Sequence, residues 1–229
     1  MFPERRKTGN NIIIGLDEGT TKICAIVATS DGNHLSIESI NSQPSRGLRK
    51  GIVVDIDGAS ESIRKVISEA SRQCGRNINN AIVGIAGSHI KSFKGYGATG
   101  IKRSVISYED LERAIDSASA AYVPLDREMI DVIPYDFIID GQSGIKDPIG
   151  MNGTRLEVLV HIITGAITSV QNLLRCCEKA GVDVSNIVLQ PVASAEATLN
   201  EYEKEIGTVL VDIGGGTTDI AVYKDGWLK

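Results

Sequence analysis

Gly15-Leu16-Asp17-Glu18-Gly19-Thr20-Thr21-Lys22-Ile23-Cys24-Ala25 and Leu210-Val211-Asp212-Ile213-Gly214-Gly215-Gly216-Thr217-Thr218-Asp219-Ile220-Ala221 are the stretches on which the fold turns. Each reads as an apolar strand ending in Asp, a glycine turn, a Thr-Thr pair and a second strand. The two aspartates stand 195 positions apart in a chain of 229 residues. An internal echo at that spacing predicts two similar domains, each opening on a glycine hairpin. Glycines let backbone N–H groups approach an oxyanion with no Cβ in the way. Threonine hydroxyls are further donors, and Lys22 adds a cation. An aspartate at each strand end suits a hydrated Mg2+, which keeps most of its waters. Two such hairpins facing each other would clamp a polyphosphate from both sides. Either hairpin alone is a generic turn; the pair carries the prediction.

Outward from the first hairpin, residues 35–40 and 51–56 read as strands. A helix follows, with Asp57 as candidate N-cap, Glu61 in the first turn, and Ile63, Val66, Ile67, Ala70 and Cys74 on one face. Gly75 is placed to end it, and residues 81–86 return as a strand. From residue 84 to 163 the texture changes. Gly95, Gly97 and Gly100 interrupt strands. Ser107 with Asp110 forms a capping box for a helix with apolar face Leu111, Ala114, Ile115, Ala118 and Tyr122. Residues 128–140 and 155–163 alternate as strands around a turn-rich loop, 141–153. One helix and several strands predict a small inserted α+β subdomain. From Thr164 the α/β rhythm resumes: a helix with Val170, Leu173, Leu174 and Cys177 on one face, a short strand at 187–189, a helix from Pro191 through about Tyr202, and a last hairpin over 209–223.

Composition sets the class. With 42% hydrophobic residues and net charge −5, the chain can bury a core of one or two domains. The acidic balance speaks against nucleic acid as the main partner, since a phosphate-binding footprint should be basic. Arg5-Arg6-Lys7 reads as a solvated tail. No apolar h-region precedes Ile12-Ile13-Ile14, and no stretch reaches the length of a membrane span, so a cytoplasmic protein is expected. The four cysteines, Cys24, Cys74, Cys176 and Cys177, have no CxxC pair and no His at metal-site spacing. They read as reduced thiols.

With these motifs in hand, the chain resembles the actin, Hsp70 and sugar-kinase superfamily. The first hairpin is similar to its phosphate-1 motif and the last to phosphate-2. Leu189-Gln190-Pro191-Val192-Ala193-Ser194-Ala195 is similar to the connecting motif, where Gln190 takes the place of actin's water-positioning glutamine. As a plain residue at a helix start, Gln190 needs no such role, and both readings stand. The middle narrows the family. Val132-Ile133-Pro134-Tyr135, Gly144-Ile145-Lys146-Asp147-Pro148-Ile149-Gly150-Met151-Asn152-Gly153-Thr154-Arg155-Leu156 and Ser45-Arg46-Gly47-Leu48-Arg49-Lys50-Gly51 resemble the FtsA family of bacterial actin-like cell division proteins. The resemblance runs from about Ile12 to Lys229.

It implies an α/β fold: an actin-like (ribonuclease H-like) domain with an inserted small α+β subdomain, truncated at the start of the second domain. Residues 10–83 and 164–205 would form subdomain 1A, 84–163 the insert 1C, and 206–229 the first hairpin of an incomplete 2A. The implied cofactors are ATP and Mg2+. Asp17 and Asp212 would hold the metal through water. Gly19, Thr20, Thr21 and Lys22 would hold one side of the phosphates, and Gly214, Gly215, Gly216, Thr217 and Thr218 the other. The implied activity is that of a filament former rather than an enzyme, with hydrolysis slow at most. The implied partners are FtsZ, further copies of the protein, and later division proteins through 84–163. The implied place is the cytoplasmic face of the cell membrane at the division site. The FtsZ-gripping lobe and amphipathic membrane helix of the family have no counterpart here. A truncated chain is therefore expected, with weak or absent ATP binding. It should not sediment with anionic vesicles at physiological salt, since no basic amphipathic helix is present.

Two rivals stand beside this reading. A small-molecule kinase of the same superfamily would need a base near the cleft, and no motif for one is present; substrate-dependent turnover would reveal it. A pure assembly module would act through 84–163 and hold no nucleotide; calorimetry with Mg–ATP separates that case.

Overall fold

Alternating apolar residues set β1 (Asn11–Glu18) and β2 (Lys22–Ser30) side by side, antiparallel, from Asn11 opposite Ser30 to Glu18 opposite Ile23. The protein is described here by a computed structural model covering residues 11–32, 34–120 and 123–229; Arg5-Arg6-Lys7 and Tyr122 lie outside the described residues. After β2 come β3 (Leu35–Pro44), the short β4 (Leu48–Arg49) and β5 (Ile52–Val53), α1 (Ile56–Cys74) and β6 (Asn80–Ile85). Next are β7 (Lys91–Gly100), α2 (Tyr108–Ser119), β8 (Arg127–Ile139), β9 (Gln142–Ile145) and β10 (Arg155–Ala166). The chain continues through α3 (Ile167–Ala180), β11 (Asp183–Leu189), α4 (Gln190–Thr198), α5 (Glu201–Ile206), β12 (Thr208–Ile213), β13 (Thr218–Lys224) and β14 (Trp227–Leu228).

Two units divide these elements. The first takes the chain up to His89, Ile167–Thr198 and Leu210–Ile220. Its sheet has the order β11-β6-β1-β2-β3, with β1–β6 and β6–β11 parallel and the β1–β2 and β2–β3 pairs antiparallel. Ile23, Ala25 and Val27 of β2 are wholly buried. α1 packs on β2, β3 and α3, with Ile63, Val66, Ile67 and Ala70 of the stripe that the sequence spaces out buried together with Ala59, while Cys74 at the end of that stripe is half-buried. Gly75 closes α1 in the left-handed conformation, φ 66°. The N-cap is Asp55, not Asp57. Asp55 has extended backbone and accepts from the Asp57 N–H at 3.0 Å, while Asp57 sits in the first turn and pairs with Lys179. Glu61 lies beyond that turn and pairs with Arg64 at 2.7 Å. The single strand expected over 51–56 is instead the β4–β5 hairpin, because Lys50 and Gly51 both take positive φ.

The second unit takes Ile90–Ala166, Leu199–Val209 and Ala221–Lys229. Its sheet has the order β7-β10-β8-β9, antiparallel throughout. α2 packs on β7, β10 and β8. Its core holds Leu111, Ala114 and Ala118 of the helix with Phe137, Leu156, Val158, Val160 and Ile162 of the sheet. The capping box forms as its spacing predicts: Asp110 N–H donates to Ser107 Oγ at 3.4 Å, and Ser107 N–H to Asp110 Oδ2 at 2.9 Å. The loop expected over 141–153 contains the short strand β9, which pairs with β8. The helix expected from Pro191 to Tyr202 is two, α4 and α5, because Asn200 starts a new capping box with Glu203. The last hairpin gains β14, giving a three-stranded sheet β12-β13-β14.

Candidate functional site

Both Gly-Thr hairpins close with the same hydrogen bond. The Gly19 N–H donates to the Lys22 carbonyl at 3.0 Å, and the Gly214 N–H to the Thr217 carbonyl at 3.0 Å. The two turns touch. A Cβ on Gly215 would lie 2.2 Å from Thr21 Cγ2, and one on Gly216 would lie 2.5 Å from Thr20 Oγ1. Only glycine fits where one backbone approaches another element this closely. Around this contact opens a cleft of about 620 Å³ within the first unit. It is lined by Asp17, Gly19, Thr20, Thr21, Lys22, Gln190, Asp212, Gly214, Gly215, Gly216 and Thr217. Thr218, which opens β13, does not line it, whereas Asp219 does. Ile26, Ile82 and Val188 supply an apolar wall.

The electrostatics are those of two carboxylates facing one space. Asp17 is held above the usual carboxylate range, first by burial against the cleft walls and next by repulsion from Asp212, with Lys22 pulling the other way. α4 meets both acids. The Gln190 amide donates to Asp17 Oδ1 at 2.7 Å, and the Ser194 hydroxyl to Asp212 Oδ2 at 3.0 Å. Gly84 on β6 makes room for Gln190, since a Cβ there would lie 2.9 Å from its Cγ. Gln190 thus bonds to an acid of the site; Ser194 and Asp219 are cleft residues to which the sequence had assigned no role. For Ser194 the available signal was its place four residues after Gln190, on the same helical face.

Beneath the first turn lies Glu18, next to Asp17 but turned into the core. Its Oε1 accepts the Cys177 S–H at 3.1 Å, and Oε2 has no hydrogen-bond partner among the described residues. Burial is the main reason its carboxyl is pushed up to about 7. The same burial raises the Cys177 thiol, and all four cysteines are free.

The donor set can be matched to a metal. Among the described residues no group of three or more His, Cys, Asp or Glu side chains could hold an ion, which disfavours a structural zinc centre. Two carboxylates on one cleft beside phosphate-sized turns fit Mg2+, which takes few protein ligands and completes its shell with water and phosphate. No helix among the described residues is long and apolar enough to cross a membrane.

The family described as "SHS2 domain inserted in FTSA" matches residues 87–164. The chain is 43% identical to the cell division protein FtsA of Pseudomonas aeruginosa over 95% of its own length and 52% of that protein. It is 45% identical to FtsA of Borreliella burgdorferi over 94% and 53%, and 42% identical to that of Bacillus subtilis over 96% and 50%. The chain therefore spans about half the length of the curated relatives it matches. Among solved structures it shares its fold with a chain of the PilM–PilN type IV pilus biogenesis complex, at TM-score 0.64, 14% identity and coverage of 96% and 60%. It also does so with the ethanolamine utilization protein EutJ of Carboxydothermus hydrogenoformans, at TM-score 0.53, 18% identity and coverage of 96% and 50%.

Proposed function

Since the chain belongs to the FtsA family and has an actin-like α/β fold carrying the family's inserted SHS2 domain, we propose that it acts in bacterial cell division as a nucleotide-binding assembly protein. The observation that carries this is the meeting of two like hairpins, each ending in an aspartate, around one cleft. Asp17 and Asp212 would hold Mg2+ through its waters. Gly19, Thr20, Thr21 and Lys22 would take one side of an ATP triphosphate, and Gly214, Gly215, Gly216 and Thr217 the other; Thr218, outside the cleft lining, is left without that role. The glycine turns offer N–H donors with no side chain between them and the phosphates. The metal, when bound, supplies charge neutralisation for the phosphate oxygens. Gln190 would orient the attacking water in any slow hydrolysis. Residues 84–163 would form the 1C surface used for filament contacts and later division proteins. FtsZ and the cytoplasmic face of the membrane would be reached by the whole protein. The kinase alternative is not favoured, since the relatives are named for cell division.

The test is titration with Mg–ATP, read from backbone amide NMR shifts so that even millimolar binding is measured. Gly19, Gly214, Gly215 and Gly216 should shift first. Asp212→Ala is expected to weaken Mg2+-dependent binding by about tenfold or more, the scale of one lost charge-assisted contact. Equal affinity in that variant and the wild type would sink the assignment.

A further inference from the structure

α4 (Gln190–Thr198) presents two polar side chains one helical turn apart, and each is bonded to a different hairpin. Gln190 Nε2 donates to Asp17 Oδ1 at 2.7 Å, at the end of β1. Ser194 Oγ donates to Asp212 Oδ2 at 3.0 Å, near the end of β12. A serine inside a helix ordinarily turns its hydroxyl back to a carbonyl of the preceding turn. Thr198 of the same helix does this, donating to the Ser194 carbonyl at 2.7 Å. Ser194 instead reaches out of the helix to the acid. Ala193 and Ala197 line the cleft with Ser194 and Asp212. One rigid helix face therefore grips both acids of the site, which would otherwise be pushed apart by their like charge.

We propose that Ser194 is a positioning residue for the metal-and-phosphate site: by holding Asp212 Oδ2 it sets the rotation of that carboxylate, while Gln190 does the same for Asp17. This rests on the proposed nucleotide function and adds to it a residue that touches neither metal nor phosphate. α4 then serves as a spacer that keeps the two acids at the separation a hydrated divalent ion needs.

The experiment measures the Mg2+ concentration for half-maximal nucleotide binding, and separately the metal-free affinity in EDTA. Both are read from amide NMR shifts of the whole chain with ATP as probe. Ser194→Ala should need about five- to tenfold more Mg2+, the scale of one typical net hydrogen bond, with metal-free affinity unchanged. Ser194→Thr keeps the hydroxyl and should restore the wild-type Mg2+ requirement. Should the alanine variant not fold, Ser194→Cys, of similar size but a weaker donor, should raise the requirement by about two- to threefold. An unchanged Mg2+ requirement in Ser194→Ala, with Asp212→Ala impaired, would overturn this inference and leave the proposed function standing. A wild-type chain without Mg2+-dependent binding, or an Asp212→Ala variant that binds as well as wild type, would overturn both. Equal weakening with and without Mg2+ would mark a merely structural serine and also overturn it.

Discussion

Glu18→Gln should make the protein more stable at pH 8 by about 3 kcal/mol and leave its stability at pH 4 nearly unchanged. The Glu18 carboxyl is buried, with its folded pKa at about 7 against an ordinary 4.5. Below pH 4.5 the side chain is protonated in both folded and unfolded chains and costs nothing. Between 4.5 and about 7 the unfolded chain releases the proton while the folded one keeps it, so stability falls as pH rises. Above about 7 both forms are ionised and the loss is complete. Each pKa unit is about 1.4 kcal/mol, which sets the total at roughly 3 kcal/mol. Glutamine has nearly the same shape, can still accept from Cys177 and carries no charge to bury. Urea unfolding at pH 4, 6 and 8 of both proteins measures this. Asp17 is shifted in the same direction but is present in both proteins, so their difference isolates Glu18. Parallel pH profiles would mean that the carboxyl reaches water or an unseen donor in solution.

Gly97→Ala should cost about 2–3 kcal/mol and lower the unfolding midpoint of the second unit by about 10–20 °C. A Cβ at Gly97 would lie 2.0 Å from the Ala114 carbonyl oxygen and 2.5 Å from the Ala118 amide nitrogen. Both are backbone atoms of α2, so no rotamer change relieves the clash. The helix has to lift away from β7, opening the core around Leu111, Ala114 and Ala118. Gly100→Ala is the control. It lies at the end of the same strand, and a Cβ there meets nothing within 4 Å, so a change within about 0.5 kcal/mol is expected. Circular dichroism melts of the two variants decide the matter. Equal melts would mean that α2 does not sit this close to β7 in solution.

These two residues mark the boundary of what could be read from the chain. Gly97 was visible as one of several glycines breaking a strand, but its reason, a helix backbone laid across it, needs the packed unit. Glu18 was visible only as one residue of the first hairpin. Its burial follows from alternation along β1, which turns it to the core face with Leu16 while Asp17 faces the cleft. The same alternation would have flagged a charged residue on an apolar face. Its partner Cys177 stands 159 positions away, beyond any local pattern.

The sequence by itself determined the pieces whose information is local. Strand alternation defined the hairpins, helical spacing defined α1, α2 and α3, and Ser107 with Asp110 defined a helix start. The Asp-Gly-Thr-Thr echo marked the candidate site, because turn chemistry lies within a few consecutive residues. Only the tertiary structure decided how those pieces meet. The bond from Gln190 to Asp17 joins residues 173 apart, and the contact of Gly215 and Gly216 with Thr21 and Thr20 joins the two turns. The grip of Ser194 on Asp212 crosses from a helix to a strand. Such contacts depend on how the chain folds back on itself, which side-chain periodicity does not encode.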